Sequence, residues 1–195
     1  MARSDAIRWN NRYQELSYLA LREPRSLLLE ASQWLPEEGL ALDLAMGLGH
    51  NSAFLLRKGF KVMGVDISWI ALIQAKSLYP EIMAVCADLE CFSLPANTFD
   101  VILNFYFLQR SIWDHVRCWL KPQGLILIET MTREMKAIKP EIDDRFLLSP
   151  NELKETFSDF EILLYHEGWR DREGEHPRAV ASLVARKPAS HEKEL

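Results

Sequence analysis

The stretch that decides the fold is residues 40–59, LALDLAMGLGHNSAFLLRKG. Its apolar run ends in Asp43, enters the turn Ala45-Met46-Gly47-Leu48-Gly49, and leaves with helical spacing through Ala53, Phe54, Leu55 and Leu56. This pattern predicts a buried parallel strand, a tight loop and a helix whose N-terminus faces whatever sits on the loop. Glycine lets backbone approach a ligand without a Cβ in the way, and the free N–H groups of a helix start favour an acceptor. A lone Gly-x-Gly is a weak signal, because an ordinary strand-to-helix turn also needs glycine. The rest of the chain has to decide between the two.

Upstream, residues 4–21 show helical spacing at Ile7, Trp9, Tyr13, Leu16 and Leu19, and a second helix is expected from Glu23-Pro24 through Leu27, Leu28, Leu29 and Trp34, broken by Pro36-Glu37-Glu38-Gly39. Downstream, residues 61–66 read as a second strand ending in Asp66, with Ser68 capping the helix that follows. Residues 82–86 and 99–105 read as the third and fourth strands. A helix carrying Ile112, Val116 and Leu120 is expected to stop at Lys121-Pro122-Gln123-Gly124, before a fifth strand at 125–129. A polar connector leads to a capping box, Ser149-Pro150-Asn151-Glu152, and a short helix. Residues 160–165 and 178–186 then suit an antiparallel hairpin, and 187–195 a frayed tail. Strand–helix alternation predicts an α/β fold. It is a doubly wound, seven-stranded, mostly parallel sheet with an antiparallel C-terminal hairpin at one edge, in a single domain over 1–186.

The bulk numbers narrow the function. The 195 residues are 48% hydrophobic and 26% charged, as in ordinary globular domains. With 23 basic against 28 acidic residues, a net charge of −5 and no Lys/Arg cluster, no nucleic-acid partner is expected. No stretch approaches the roughly 18 apolar residues of a membrane span. The polar opening MARSDAIRWNNRYQ carries no signal-peptide core, so a cytoplasmic location without membrane attachment is expected. Cys86, Cys91 and Cys118 are odd in number and lack a C-x-x-C spacing. They are expected to be reduced and mostly buried, with no metal site.

In such sheets the ligand lies across the carboxyl ends of the strands, where the strand order reverses. Three successive strands end at or next to a carboxylate: Asp43, Asp66 and Asp88. Asp66 follows Gly47 by 66 − 47 = 19 positions, near the ~20-residue offset of an acid that binds a ribose. Asp88 and the backbone N–H of Leu89 can reach an adenine edge. Each acid alone could be a solvated strand-end carboxylate, but the three together point to an adenosine-containing ligand. A dinucleotide fingerprint wants glycine where Ser52 stands, and Asp43 at the loop mouth repels a pyrophosphate. A ligand with positive charge and no phosphate suits the rim better, and S-adenosylmethionine fits that description.

The motifs LDLAMGLG, GVDIS and CADLE, with FDVILNFYFLQR and LKPQGLILIE after them, resemble those of class I S-adenosylmethionine-dependent methyltransferases. Together with the N-terminal Trp9-Asn10-Asn11-Arg12-Tyr13, the pattern DLA-x-G-x-G-x-N is similar to small bacterial enzymes akin to tellurite-resistance and thiopurine methyltransferases. Ala45 departs from the glycine often found at its position.

The resemblance implies a Rossmann-like fold and transfer of a methyl group to a small-molecule nucleophile (sulfur, oxygen, nitrogen or a metalloid oxyanion), leaving S-adenosylhomocysteine. It implies that Gly47 and Gly49 let the loop pass close to the methionine portion, that Asp43 orients that loop and the amino group, that Ala45 and Asn51 also belong to the cofactor site, and that Asp66 takes the ribose. Ile67, Asp88 and Leu89 would meet the adenine, and Asn104 and Phe105 would lie beside the methyl group. Residues 1–38 would cover the site. Trp9, Arg12 and Tyr13 would cap it, with Arg12 on the cofactor carboxylate; a core stripe with Arg12 solvated is the competing reading. His50, at a helix start, reads as a neutral surface residue rather than a catalyst. Tyr106, Gln109, Arg110, Glu129 and Arg133 are candidate acceptor contacts, and no catalytic base is assigned. Two other readings stay open: a non-catalytic module that binds S-adenosylmethionine, and a nicotinamide-dependent reductase.

Overall fold

The protein is described by a computed structural model that covers residues 2–15, 23–170 and 177–189. An N-terminal helix, α1 (Ala2–Glu15), and a short α2 (Ser26–Glu30) precede the first strand, β1 (Gly39–Leu44). Then follow α3 (His50–Arg57), β2 (Phe60–Asp66), α4 (Trp69–Leu78), β3 (Met83–Cys86) and β4 (Phe99–Phe105). The chain continues through α5 (Trp113–Trp119), β5 (Leu120–Met131), α6 (Glu152–Thr156), β6 (Glu161–Arg170) and β7 (Arg178–Arg186).

The seven strands form one sheet in the order β3-β2-β1-β4-β5-β7-β6. β1 to β5 run parallel, while β7 pairs antiparallel with both β5 and β6. The order reverses between β1 and β4, so the crevice of a doubly wound sheet opens beyond their ends. This is the expected architecture.

Parallel strands must be covered on both faces, and two clusters do this. On one face Leu27, Leu28, Leu55, Val62, Leu103, Leu127 and Val184 pack with α2 and α3. On the other, Leu42, Val65, Ile102, Trp113, Trp119, Ile126 and Phe157 pack with α5 and α6. The helical alternation breaks between β3 and β4, where no helix forms. Leu89, Phe92 and Leu94 from that loop cover the sheet instead.

Four local expectations need correction. The helix expected from Pro24 begins at Ser26 and ends at Glu30, passing into a 3₁₀ turn over Ala31–Gln33. Residues 120–124 are not a helix stop but the start of β5, because Leu120 pairs with Phe99 and the register then jumps to Leu125 opposite Val101. The tail begins later than residue 187: the Lys187 N–H donates to Gly124 O at 2.9 Å and its ammonium donates to the Arg117 and Leu120 carbonyls. Residues 190–195 lie outside the described residues. The three cysteines are exposed, not buried, since each falls on a strand end, a loop or an outer helix face.

No described helix is long and apolar enough to cross a membrane.

Candidate active site

Asp43, the next-to-last residue of β1, is 1% exposed, and its Oδ2 accepts from the Ser52 hydroxyl at 2.7 Å. Burial, with help from nearby Asp66, pushes its carboxyl up to about 7 against the opposing Ser52 bond. The residue that breaks the dinucleotide pattern therefore anchors the loop's acid to α3. Beyond β1 the chain turns through three left-handed residues, Ala45 (φ 52°), Gly47 (φ 56°) and Gly49 (φ 75°). Such angles suit glycine and strain alanine. The Met46 N–H donates to Val65 O at 3.1 Å, and its side chain lies on Gly64, where a Cβ would collide with it.

Asp66 holds the two loops together. Its Oδ2 accepts from the Gly47 N–H and its Oδ1 from the Ser68 N–H, both at 2.8 Å. Burial raises its pKa, while those N–H groups oppose the rise. The Ile67 backbone also hydrogen-bonds this carboxylate, which leaves one of its roughly four acceptor positions. Ser68 also caps α4 as expected, accepting from the Ala71 N–H at 3.2 Å.

Helix α1 lies over this corner. Asn10 Oδ1 accepts from the Ser68 hydroxyl at 2.8 Å, and Gln74 Nε2 donates to Tyr13 O at 3.2 Å. The Tyr13 hydroxyl stands above the glycine loop, 2.5 Å from where a Gly47 Cβ would be. Trp9 and Tyr13 have ring centroids 6.1 Å apart, and the exposed Arg12 stacks over Trp9 at 5.5 Å. Asn10 was not singled out from the sequence, although it lies inside the quoted Trp9–Tyr13 motif.

The other expected cofactor residues divide. Ile67 is half-buried next to Asp66. Asp88 turns back on its own loop, with Oδ1 accepting from the Glu90 N–H at 3.0 Å, and the Leu89 side chain enters the core. Asn51 Oδ1 accepts from the Arg25 N–H at 2.9 Å, so it joins α3 to the chain before α2. At the end of β4, Phe105 packs into the sheet face. Asn104 is 2% exposed, and among the described residues its Oδ1 has no partner.

The five acceptor candidates also separate. Tyr106 (φ 56°) donates its N–H to Glu129 O at 2.7 Å, and its ring lies 4.5 Å from the Arg25 guanidinium and 4.9 Å from that of Arg178. Glu129 is 3% exposed and accepts from Ser182 at 2.8 Å. Gln109 donates to Glu90 Oε1 at 2.7 Å. Arg110 grips Glu152 through Nε at 2.5 Å and Nη2 at 2.9 Å, and also donates to the Arg145 and Leu147 carbonyls. Both side chains of Gln109 and Arg110 are thus engaged in loop contacts, and Arg133 is exposed. Arg25 and Arg178 were missed, since neither belongs to a motif and 153 residues of chain separate them, 178 − 25.

Comparisons with known proteins agree with this geometry. Residues 41–124 match the family described as methyltransferase domain. Over 129 residues the chain is 31% identical to YqeM of Bacillus subtilis, named as a methyltransferase, an alignment covering 60% of this chain and 51% of that protein. Over 98 residues it is 28% identical to a Mycobacterium tuberculosis protein named as an S-adenosylmethionine-dependent methyltransferase, covering 47% of this chain and 35% of the relative. The chain thus spans about half the length, or less, of these relatives. The solved structure of TehB from Haemophilus influenzae superposes with a TM-score of 0.72 at 21% identity, covering 89% of this chain and 65% of that one.

Proposed function

We propose that this protein, whose residues 41–124 match a methyltransferase domain, is a class I methyltransferase that binds S-adenosylmethionine across the ends of β1, β2 and β4 and methylates a small-molecule nucleophile. The observation that carries the reading is the partnerless Oδ1 of Asn104, buried at the point where the strand order reverses. An unmet buried acceptor costs about 1–3 kcal/mol. An ammonium group above the glycine loop would satisfy it.

The remaining residues fit the same ligand. The left-handed turn at Gly47 and Gly49 lets the backbone pass close to the methionine portion, beside the Tyr13 hydroxyl that fills the space over Gly47, and the remaining acceptor position of Asp66 suits a ribose hydroxyl. Ile67 offers an apolar surface beside it. Asp43, once ionised, adds negative charge beneath a cationic centre. When bound, S-adenosylmethionine supplies an electrophilic methyl group on its sulfonium. The chain's part is alignment and exclusion of water, which can contribute roughly 7–11 kcal/mol without a dedicated base. Tyr13 and Trp9 on α1 are the water-excluding surface, and the acceptor approaches from the side of Tyr106.

Calorimetric titration with S-adenosylmethionine, S-adenosylhomocysteine and NADH tests the proposal. Micromolar binding of the first two without the third is the expected result. Binding of NADH alone, or of none of the three, overturns it. Release of S-adenosylhomocysteine during turnover with small thiol, phenol and amine acceptors separates an enzyme from a binding module.

A further inference from the structure

Across β5, β7 and β6 one face of the sheet changes from apolar to polar between two neighbouring rows of side chains. Leu127, Val184 and Leu164 stand in register in the first row and belong to the core under α2 and α3. Side chains on one face recur every second residue. The next row, nearer the carboxyl end of β5, is therefore Glu129, Ser182 and His166, again in register. Ser182 is fully buried and donates to Glu129 Oε2 at 2.8 Å. His166 Nε2 is buried and has no hydrogen-bond partner among the described residues. Gly168, next on the same face of β6, leaves the surface beside it bare: a Cβ there would meet no described atom within 4 Å except His166 Cε1, at 4.0 Å.

Glu129 is the member of this row with unused capacity. It is 3% exposed, and a carboxylate offers about four acceptor positions. Among the described residues Ser182 is its one hydrogen-bond partner, and no cation is bonded to it. A glutamate is almost never buried this far unless it is paired. Its backbone O fixes Tyr106 by accepting that residue's N–H, and its charge bears on the Tyr106 phenol. Phe105, opposite Glu129 on β4, directly follows Asn104. The row thus lies on the acceptor's side of the cofactor site, one strand beyond the reversal of strand order. A site built to hydrogen-bond a donor discriminates strongly against an analogue that lacks one, because its own buried group is then left unmet.

We infer that Glu129, held by Ser182, sets the acceptor specificity: its remaining oxygen receives a hydrogen bond from a hydroxyl or amino group on the methyl acceptor. The inference rests on the methyltransferase reading for its placement beside the cofactor site.

Benzyl alcohol, benzylamine and benzyl methyl ether serve as probes, the ether having no N–H or O–H to donate. Each is titrated into the intact protein saturated with S-adenosylhomocysteine and followed by NMR. At least one of the two donors is expected to bind about ten-fold or more tighter than the ether and to shift the Tyr106 amide, and the tighter donor identifies the group. Glu129→Gln keeps the Ser182 bond through its amide oxygen and turns the free position into an N–H donor. That variant is expected to bring the preference for the donor below two-fold or to reverse it towards the ether, with S-adenosylhomocysteine affinity changed less than two-fold. A merely structural role would weaken all three probes alike. Glu129→Asp, which keeps the charge but draws it back by one methylene, is expected to lose at least three-fold of the preference, and it carries the test if the amide variant does not fold. Donors that bind no tighter than the ether, or a preference unchanged by these substitutions, overturn the assignment. Failure of S-adenosylhomocysteine to bind the wild-type protein overturns the methyltransferase reading instead, and the same titration tells the two failures apart.

Discussion

Ala45 holds a backbone angle, φ 52°, that costs an L-residue about 1–2 kcal/mol. Replacing it with glycine removes that strain and adds back some unfolded-state entropy. Ala45→Gly is expected to raise stability by up to about 1 kcal/mol, and Ala45→Val to lower it, as read from urea unfolding. A lower midpoint for the glycine variant would show that the turn is not strained.

Two residues away, Asp43 makes stability depend on pH. Its carboxyl is raised from an ordinary value of 3.8 to about 7 by burial first. The folded state therefore holds a proton that the unfolded state has given up. Stability attributable to this group falls as pH rises from about 4 to about 7, by on the order of 4 kcal/mol, and is level beyond. Asp43→Asn is expected to abolish that fall, and urea midpoints that run parallel for the two proteins across this range would contradict it. Because ionised Asp43 favours a cation, affinity for the sulfonium form should also strengthen from pH 6 to 8 more than affinity for S-adenosylhomocysteine. The strand-end acids were legible from spacing alone. Asp43's burial was not, because it depends on Ser52, which in the sequence only spoiled a glycine pattern.

At the scale of elements, α1 shows what a motif can and cannot reveal. Its Trp9-Asn10-Asn11-Arg12-Tyr13 run was readable either as a cap or as a core stripe with Arg12 solvated; Asn10 bonds Ser68, the Tyr13 hydroxyl lies over the glycine loop, and Arg12 is exposed. Arg12 has its guanidinium on Trp9 at the edge of that cap. Arg12→Ala is expected to weaken S-adenosylmethionine at least five-fold more than adenosine, which lacks a carboxylate; equal losses in parallel titrations would remove Arg12 from the site. Other elements departed from their patterns for tertiary reasons. α6 keeps only half of its expected capping box: the Ser149 N–H donates to Glu152 Oε2 at 2.8 Å, while Asn151 holds the N-cap position in a left-handed conformation. Arg110, an inviting rim cation in the sequence, is committed to that same Glu152. Local sequence does not state which of two acids a loop arginine will find.

For the molecule as a whole, hydrophobic periodicity was enough to read the parallel sheet and its antiparallel edge, because buried strands leave a near-continuous apolar signal. Leu103, fully buried in central strand β4, is expected to cost about 2–5 kcal/mol when cut to alanine, measurable as a lower urea midpoint with unchanged slope. The Arg25–Tyr106–Arg178 meeting was illegible for the opposite reason: it exists only after the sheet has closed. That has a consequence in time as well as space. The glycine loop and Asp66 lie 19 residues apart and can come together early, whereas the arginine pair must wait for the last strand to dock. A refolding chain should therefore capture S-adenosylhomocysteine before β7 has docked between β5 and β6.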